Sequence, residues 1–174
     1  EYRRQRQMCI RDRNYTLFVF YDIISQKNYL SEKRAVLLSI EETKKYYDEN
    51  SQKEWERLEK HPFEFIFTTY IMNQYIKPGD SVLDIGGGPG RYSIYYAQKG
   101  CDVTLIDLSD GNIELAKAKS RECNVDFPMF AANCLEIGTM ELAQYDHVFL
   151  MGPLYHLINK EQRTQAVRFA IERL

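Results

Sequence analysis

The sequence predicts an α/β fold, a mostly parallel sheet covered by helices on both faces, and three observations point to it. Short apolar runs recur at "SVLDI" (81–85), "DVTLID" (102–107) and "HVFLM" (147–151), too short for helices and continuous enough for strands buried on both faces. Segments of helical period separate them, and strands alternating with helices imply βαβ units. Each strand run gives way to glycine or to a helix-capping residue within a few positions.

Taken in order, the elements begin at Ser39, which has capping-box spacing with Glu42 before "TKKYYDEN". Ser51 and Glu54 repeat the pattern before "WERLEKH", so two short helices are expected. Pro62 opens a third, with an apolar stripe of Phe63, Ile66, Phe67, Tyr70 and Ile71, and "KPGD" at 77–80 stops it. After the strand at 81–85, a helix runs from about Arg91 to Lys99 and ends at Gly100. Beyond the strand at 102–107, Ser109 is placed to cap a helix reaching about Cys123. "DFPMFAA" is a weaker strand, demoted by Pro128. After the fourth strand, Asn159 and Gln162 start a helix with Ala166, Val167, Ala170, Ile171 and Leu174 on one face. The chain stops inside that pattern, so a C-terminal truncation and an unpaired strand edge are expected.

At 174 residues the chain has the length of about one domain. "EYRRQRQMCIRDR" (1–13) carries five Arg against Glu1 and Asp12; without its +3, the net −2 becomes −5 for residues 14–174. The body is therefore acidic, which excludes a basic footprint for nucleic acid. Codons for Met8–Arg13 spell a sequence resembling a transposon end used in preparing DNA libraries, so 1–13 is read as a non-native artefact. Residues 14–38, an N-terminal extension with the run "YTLFVFYDII", receive no function. Residues 39–77 are expected to form lid or packing helices, and 78–174 the ligand-binding domain. No run approaches the ~20 apolar residues of a membrane span. Cys9, Cys101, Cys123 and Cys134 lack metal-ligand spacing, which argues against a zinc site or a disulfide framework and favours the cytoplasm.

The candidate site lies at the carboxyl ends of the strands, where parallel α/β sheets bind ligands. Asp84 closes the first strand, and Gly86, Gly88 and Gly90 follow at alternate positions. Glycine lets the backbone take positive φ and approach a ligand without a Cβ in the way. Asp107, at the end of the second strand, can accept two hydrogen bonds from a ribose diol. Together they point to an adenine nucleoside. A dinucleotide loop needs G-x-G-x-x-G, but from Gly86 the third glycine is replaced by Arg91. The frame is D-x-G-x-G-x-G, and an acid beside the loop repels pyrophosphate while suiting a cationic amino acid. That favours S-adenosylmethionine over a nicotinamide dinucleotide; an NAD-dependent oxidoreductase and a non-catalytic nucleoside-binding fragment remain the alternatives.

On these residues the sequence resembles the class I S-adenosylmethionine-dependent methyltransferases over about residues 40–174. "VLDIGGGPG" and "VTLIDLS" are similar to that family's first two motifs, with "AANCLEI" and "YDHVFLMGPLYHL" supporting them. Within the family the resemblance is to small-molecule enzymes of the ubiquinone- and menaquinone-methylating type. The resemblance implies a Rossmann-like doubly wound sheet of seven strands, of which about the first four parallel strands are present here. It further implies that Asp84, Gly86, Gly88 and Gly90 hold the methionine moiety, and that Asp107 binds the ribose with Leu108 on the adenine face. Asn133, where the family usually has Asp, would accept from the adenine amino group, and Cys134 would offer its backbone N–H. Met151 and Gly152 would line the methyl-donor side.

Methyl transfer from a sulfonium is an in-line displacement that runs on alignment, and a base is needed only where the acceptor loses a proton. His156 is the candidate base and Tyr155 a weaker one. Tyr46, Tyr47 and Trp55 are candidates for a lid over the site. His61 and His147 read as structural. The expected partner is a small-molecule methyl acceptor; nucleic acid is disfavoured by charge and by the lack of "DPPY"- or "NPPF"-like sequence after the fourth strand.

Overall fold

The computed structural model describes residues 6–12, 15–21, 39–60 and 62–174. Its strands are β1 (Arg6–Asp12), β2 (Tyr15–Tyr21), β3 (Ser81–Ile85), β4 (Asp102–Asp107), β5 (Met129–Ala131) and β6 (His147–Leu150). Its helices are α1 (Ile40–Lys60), α2 (Pro62–Met72), α3 (Arg91–Gln98), α4 (Asp110–Glu122) and α5 (Lys160–Ile171). They build one sheet in the order β1-β2-β6-β3-β4-β5, parallel except for the β1–β2 hairpin. The expected α/β architecture is present, with five parallel strands and helices on both faces.

Strand parity sorts the core. Leu83, Ile85, Ile106, Val148 and Leu150 face one side and pack on Ala166 and Ala170 of α5. Val82, Val103 and Phe149 face the other, against Met72 of α2 and Tyr92 and Tyr96 of α3. α4 covers Leu105 on that second side through Ile113 and Ala116. These runs are apolar on both faces because both faces are covered.

The expected bare edge beside β6 is instead occupied by β2, with Leu17 opposite Val148 and Phe18 opposite Phe149. Leu17 is fully buried and Phe18 nearly so, which explains why these two positions are apolar. The Arg6–Asp12 segment adds the outer antiparallel strand. Residues 1–5, 13–14 and 22–38, parts of the stretches read as an artefact and an extension, lie outside the described residues, as does His61.

Most helix signals form as expected. Ser39 N–H donates to Glu42 Oε2 at 2.7 Å and Glu42 N–H to Ser39 Oγ at 3.2 Å, the reciprocal capping box. Ser109 Oγ accepts from Asn112 N–H, and Asn159 Oδ1 from Glu161 N–H. The Ser51–Glu54 box does not form: α1 runs on through a kink at Asn50 (φ −125°, ψ 15°), and Glu54 pairs with Arg57 instead. The predicted stripe of α2 faces outward, with Phe63 84% and Tyr70 66% exposed. The helix buries Thr68, Thr69 and Met72 and stacks Phe65 on Tyr92, because this sequence is apolar on nearly every side and contact with α3 chooses the face.

Candidate active site

Strand order reverses between β3 and β6, so the β3–α3 and β6–α5 loops diverge at the carboxyl end of the sheet. A cleft of about 470 Å³ opens there. The two loops touch at its floor. A Cβ on Gly86, whose φ is +70°, would lie 2.3 Å from Pro153 Cγ, and one on Gly152 would lie 2.9 Å from the Gly86 carbonyl oxygen. Only glycine closes this gap.

Asp107 sits at the cleft wall, buried, with its carboxylate held by three donors. Gly88 N–H reaches Oδ2 at 2.8 Å; Ser109 N–H and Asn112 Nδ2 reach Oδ1, each at 3.0 Å. Burial raises its pKa despite these donors. One acceptor position of Oδ2 is left for a ligand hydroxyl. Asn112 was not singled out by the sequence, although its position five residues after Asp107 on a capped helix is a local signal.

Of the predicted site residues, Gly86, Gly88, Asp107, Leu108, Asn133, Cys134, Met151, Gly152 and His156 all line this one cleft. Asp84 and Gly90 are not among the residues that line it. The Asp84 side chain turns beneath the loop, 1% exposed, and accepts from Ser93 Oγ at 2.7 Å. Its Oδ2 lies 2.4 Å from where a Gly87 Cβ would stand, so the loop rests directly on it. Burial, with the charge of Asp107 adding to it, pushes its pKa up to about 7. Gly90 is a packing residue, with Leu105 and Ala116 at 3.1 and 3.3 Å from a Cβ there.

Asn133 Oδ1 accepts from Leu135 N–H at 3.0 Å, so its carbonyl is partly committed within its own turn. The Cys134 thiol is buried and its pKa is raised to about 11, which keeps it neutral.

α1 covers the outer end of the cleft, contributing Thr43, Tyr47, Glu54 and Arg57 to its wall. Two anchors hold it. Asp48 Oδ1 accepts from Ser109 Oγ at 2.6 Å and from Gly111 N–H at 3.0 Å, while Lys44 bridges Asp48 and Asp110. Burial opposes ionisation of Asp48, yet these donors hold its carboxyl below the usual range. At the second anchor, Trp55 meets two cations over its ring, Arg91 at 4.5 Å from the centroid and Lys119 at 5.4 Å. Arg91 also pairs with Glu59 at 3.0 Å. The residue that breaks the dinucleotide frame therefore fastens the covering helix. Arg57 reaches Glu64 Oε2 at 2.6 Å and Glu54 Oε2 at 3.3 Å within the cleft; the Glu54 pair has i,i+3 helical spacing, and Glu64 joins it from α2.

His156 ends the turn after β6, with Nε2 2.8 Å from Tyr47 Oη. Burial pushes its pKa down to about 4, so the ring is neutral at pH 7. His147 is far from this site, pairing with Asp80 at 2.9 Å at the amino end of β6. Among the described residues, no cluster of three or more His, Cys, Asp or Glu could hold a metal ion. No helix among them is long and apolar enough to cross a membrane.

Residues 82–174, over half of the chain, match a family model described as a methyltransferase domain. The chain belongs to this methyltransferase family. It is 38% identical over 79 residues to a ubiquinone biosynthesis O-methyltransferase of Bordetella avium, a segment covering 45% of this chain and 33% of that protein. A ubiquinone biosynthesis O-methyltransferase of Coxiella burnetii is 32% identical over 90 residues, 51% of this chain and 37% of its own. The chain thus spans about a third of the length of the curated relatives it matches. Among solved structures, magnesium protoporphyrin IX methyltransferase from Synechocystis PCC 6803, with bound SAM, superposes with TM-score 0.61 at 18% identity, covering 80% of this chain and 74% of that one. A TehB-like SAM-dependent methyltransferase from Corynebacterium glutamicum gives 0.58 at 22%, covering 74% and 66%. These likenesses establish that this family member has the methyltransferase fold.

Proposed function

We propose that this chain binds S-adenosylmethionine in the cleft and that the protein transfers its methyl group to a small-molecule acceptor. The observation that carries the reading is the state of Gly88 N–H. It is bonded to Asp107 Oδ2 at 2.8 Å, so the loop turns a carboxylate rather than a free donor toward the ligand. A pyrophosphate needs free N–H groups there; a ribose diol needs the acceptor. The residues present fit the cofactor: a cleft of about 470 Å³ is within the range for small ligands, and its floor admits no Cβ at Gly86.

In this reading Asp107 takes a ribose hydroxyl on Oδ2, Leu108 covers one face of the base, and Asn133 with the Cys134 backbone N–H meets the base edge. Gly86, Gly88, Met151 and Gly152 shape the amino-acid and methyl-donor side. Asp84 contributes from below the loop, as a buried carboxyl that an ammonium nearby would drive toward ionisation. Bound S-adenosylmethionine supplies an electrophilic methyl on a sulfonium. α1, within residues 39–77, serves as the lid on the 78–174 domain and excludes water from the cleft. The O-methyltransferase relatives favour an oxygen acceptor, and where that acceptor is a hydroxyl its proton is taken up on the His156 side. The free thiols of Cys101, Cys123 and Cys134 suit a cytoplasmic location.

Isothermal titration with S-adenosylmethionine, its demethylated product and NAD tests the reading. The first two are expected to bind and NAD is not. Binding of NAD alone overturns it, and binding of S-adenosylmethionine with no turnover on any phenolic acceptor leaves a nucleoside-binding domain.

A further inference from the structure

The contact between Tyr47 and His156 joins residues 109 positions apart and brings a lid hydroxyl onto the candidate base. The rings stand perpendicular, 5.3 Å between centroids, and Tyr155 covers the imidazole at 4.2 Å. All three side chains line the cleft.

The direction of this hydrogen bond follows from the two groups. Burial, then the charge of Tyr155 and a side-chain hydrogen bond shared with it, raises the pKa of Tyr47 far above neutrality, so its hydroxyl keeps its proton and Tyr155 is a second partner of its oxygen. The buried imidazole is neutral and has one lone-pair nitrogen. A phenol is the stronger proton donor and an imidazole nitrogen the stronger acceptor, so Tyr47 O–H donates to Nε2. The ring proton then sits on Nδ1, for which the described residues provide no hydrogen-bond acceptor. With Nε2 capped in this way, the imidazole has no free lone pair to offer an acceptor directly.

We propose that Tyr47 is the proton-relay residue of this site, its hydroxyl fixing the Nδ1–H tautomer of His156 and carrying an acceptor's proton to Nε2. The inference rests on the methyl-transfer reading and adds a residue to it. The relay balances: the acceptor's O–H bond breaks with its electron pair staying on oxygen, and the proton binds Tyr47 Oη. The proton already on Tyr47 passes to Nε2, leaving an imidazolium and an intact phenol. Tyr47 is then the group that meets the acceptor, and His156 acts through it. Because α1 carries Tyr47, the relay is complete only when the lid helix is seated by Asp48 and Trp55.

The test is the tautomer of His156, read by long-range ¹H–¹⁵N correlation of the imidazole on the full chain at neutral pH. The signal is assigned by its loss in H156Q. Wild type is expected to show the Nδ1–H form, and Y47F to revert to Nε2–H. Methyl transfer to a phenolic acceptor is expected to fall about 10²-fold or more in Y47F and in H156Q. The double variant should be no slower than either, since the two act as a unit. An Nε2–H tautomer in the wild type, or an unchanged tautomer in Y47F, overturns the proposal. Should Y47F misfold, the wild-type tautomer still decides. If the nitrogen spectra come out as expected while no acceptor is methylated, the functional reading fails and the hydrogen-bond assignment stands.

Discussion

Replacing Asp84 by Asn probes the buried carboxyl on which the glycine loop rests. Asp84 is 1% exposed, and burial, reinforced by Asp107, lifts its pKa to about 7 from the 3.8 of a free side chain. The folded state therefore binds this proton more tightly than the unfolded chain does. Its contribution to stability is complete below about pH 4 and is lost as pH rises through about 7. A difference of about three pH units at ~1.4 kcal/mol each makes the total about 4 kcal/mol, of which more than half falls between pH 5 and pH 8. The amide introduced by Asp84→Asn cannot ionise but still accepts the Ser93 hydroxyl. It carries a fixed cost of about 1–3 kcal/mol if its N–H finds no acceptor. The fixed cost cancels in the comparison across pH. Urea unfolding of both proteins at pH 5 and pH 8 should show Asp84→Asn gaining roughly 2–3 kcal/mol on wild type over that interval. A difference that stays flat with pH, or falls, would refute the argument that the carboxyl is held protonated by burial.

Three further substitutions address the fold and the cleft. Leu17→Ala, at a fully buried position opposite Val148, is expected to cost about 3 kcal/mol in urea unfolding; a neutral result would unseat β2 from the core. Gly86→Ala places a Cβ 2.3 Å from Pro153 Cγ at a positive φ, so titration calorimetry should find S-adenosylmethionine binding lost, and wild-type affinity would contradict the described floor. Gly111→Ala pushes a methyl to 2.7 Å from the Asp48 carbonyl oxygen, and a destabilisation of about 1–3 kcal/mol is expected; none would mean that α1 is not seated as described.

Much of the site can be read from the sequence because it is built at strand ends. Gly86, Gly88, Asp107, Leu108, Met151, Gly152 and His156 follow directly on β3, β4 or β6, and parallel strands deliver their carboxyl ends to one place. Contiguity does not tell which loop positions open onto the cleft: Asp84 turns beneath the loop to Ser93, and Gly90 packs on Leu105 and Ala116. The α2 stripe is misassigned for a related reason: in "PFEFIFTTYIM" more than one face is apolar, and periodicity alone cannot choose between them. The β1–β2 hairpin escapes a sequence reading because pairing β2 with β6 joins segments about 130 residues apart, for which no local pattern exists.

What the sequence by itself determined is everything settled within a few residues of itself. The Ser39, Ser109 and Asn159 caps, the positive-φ glycines and the apolar strands belong here, because their energies come from near neighbours and from burial on both faces. What only the tertiary structure decided is which distant groups meet. Arg91 lies under Trp55, Asp48 on the start of α4, Tyr47 on His156 and β2 against β6. Those contacts depend on how helices settle on a twisted sheet. They decide that the cleft is covered, that the carboxyl beneath its loop is buried to a pKa of about 7, and that its imidazole is reached through a phenol.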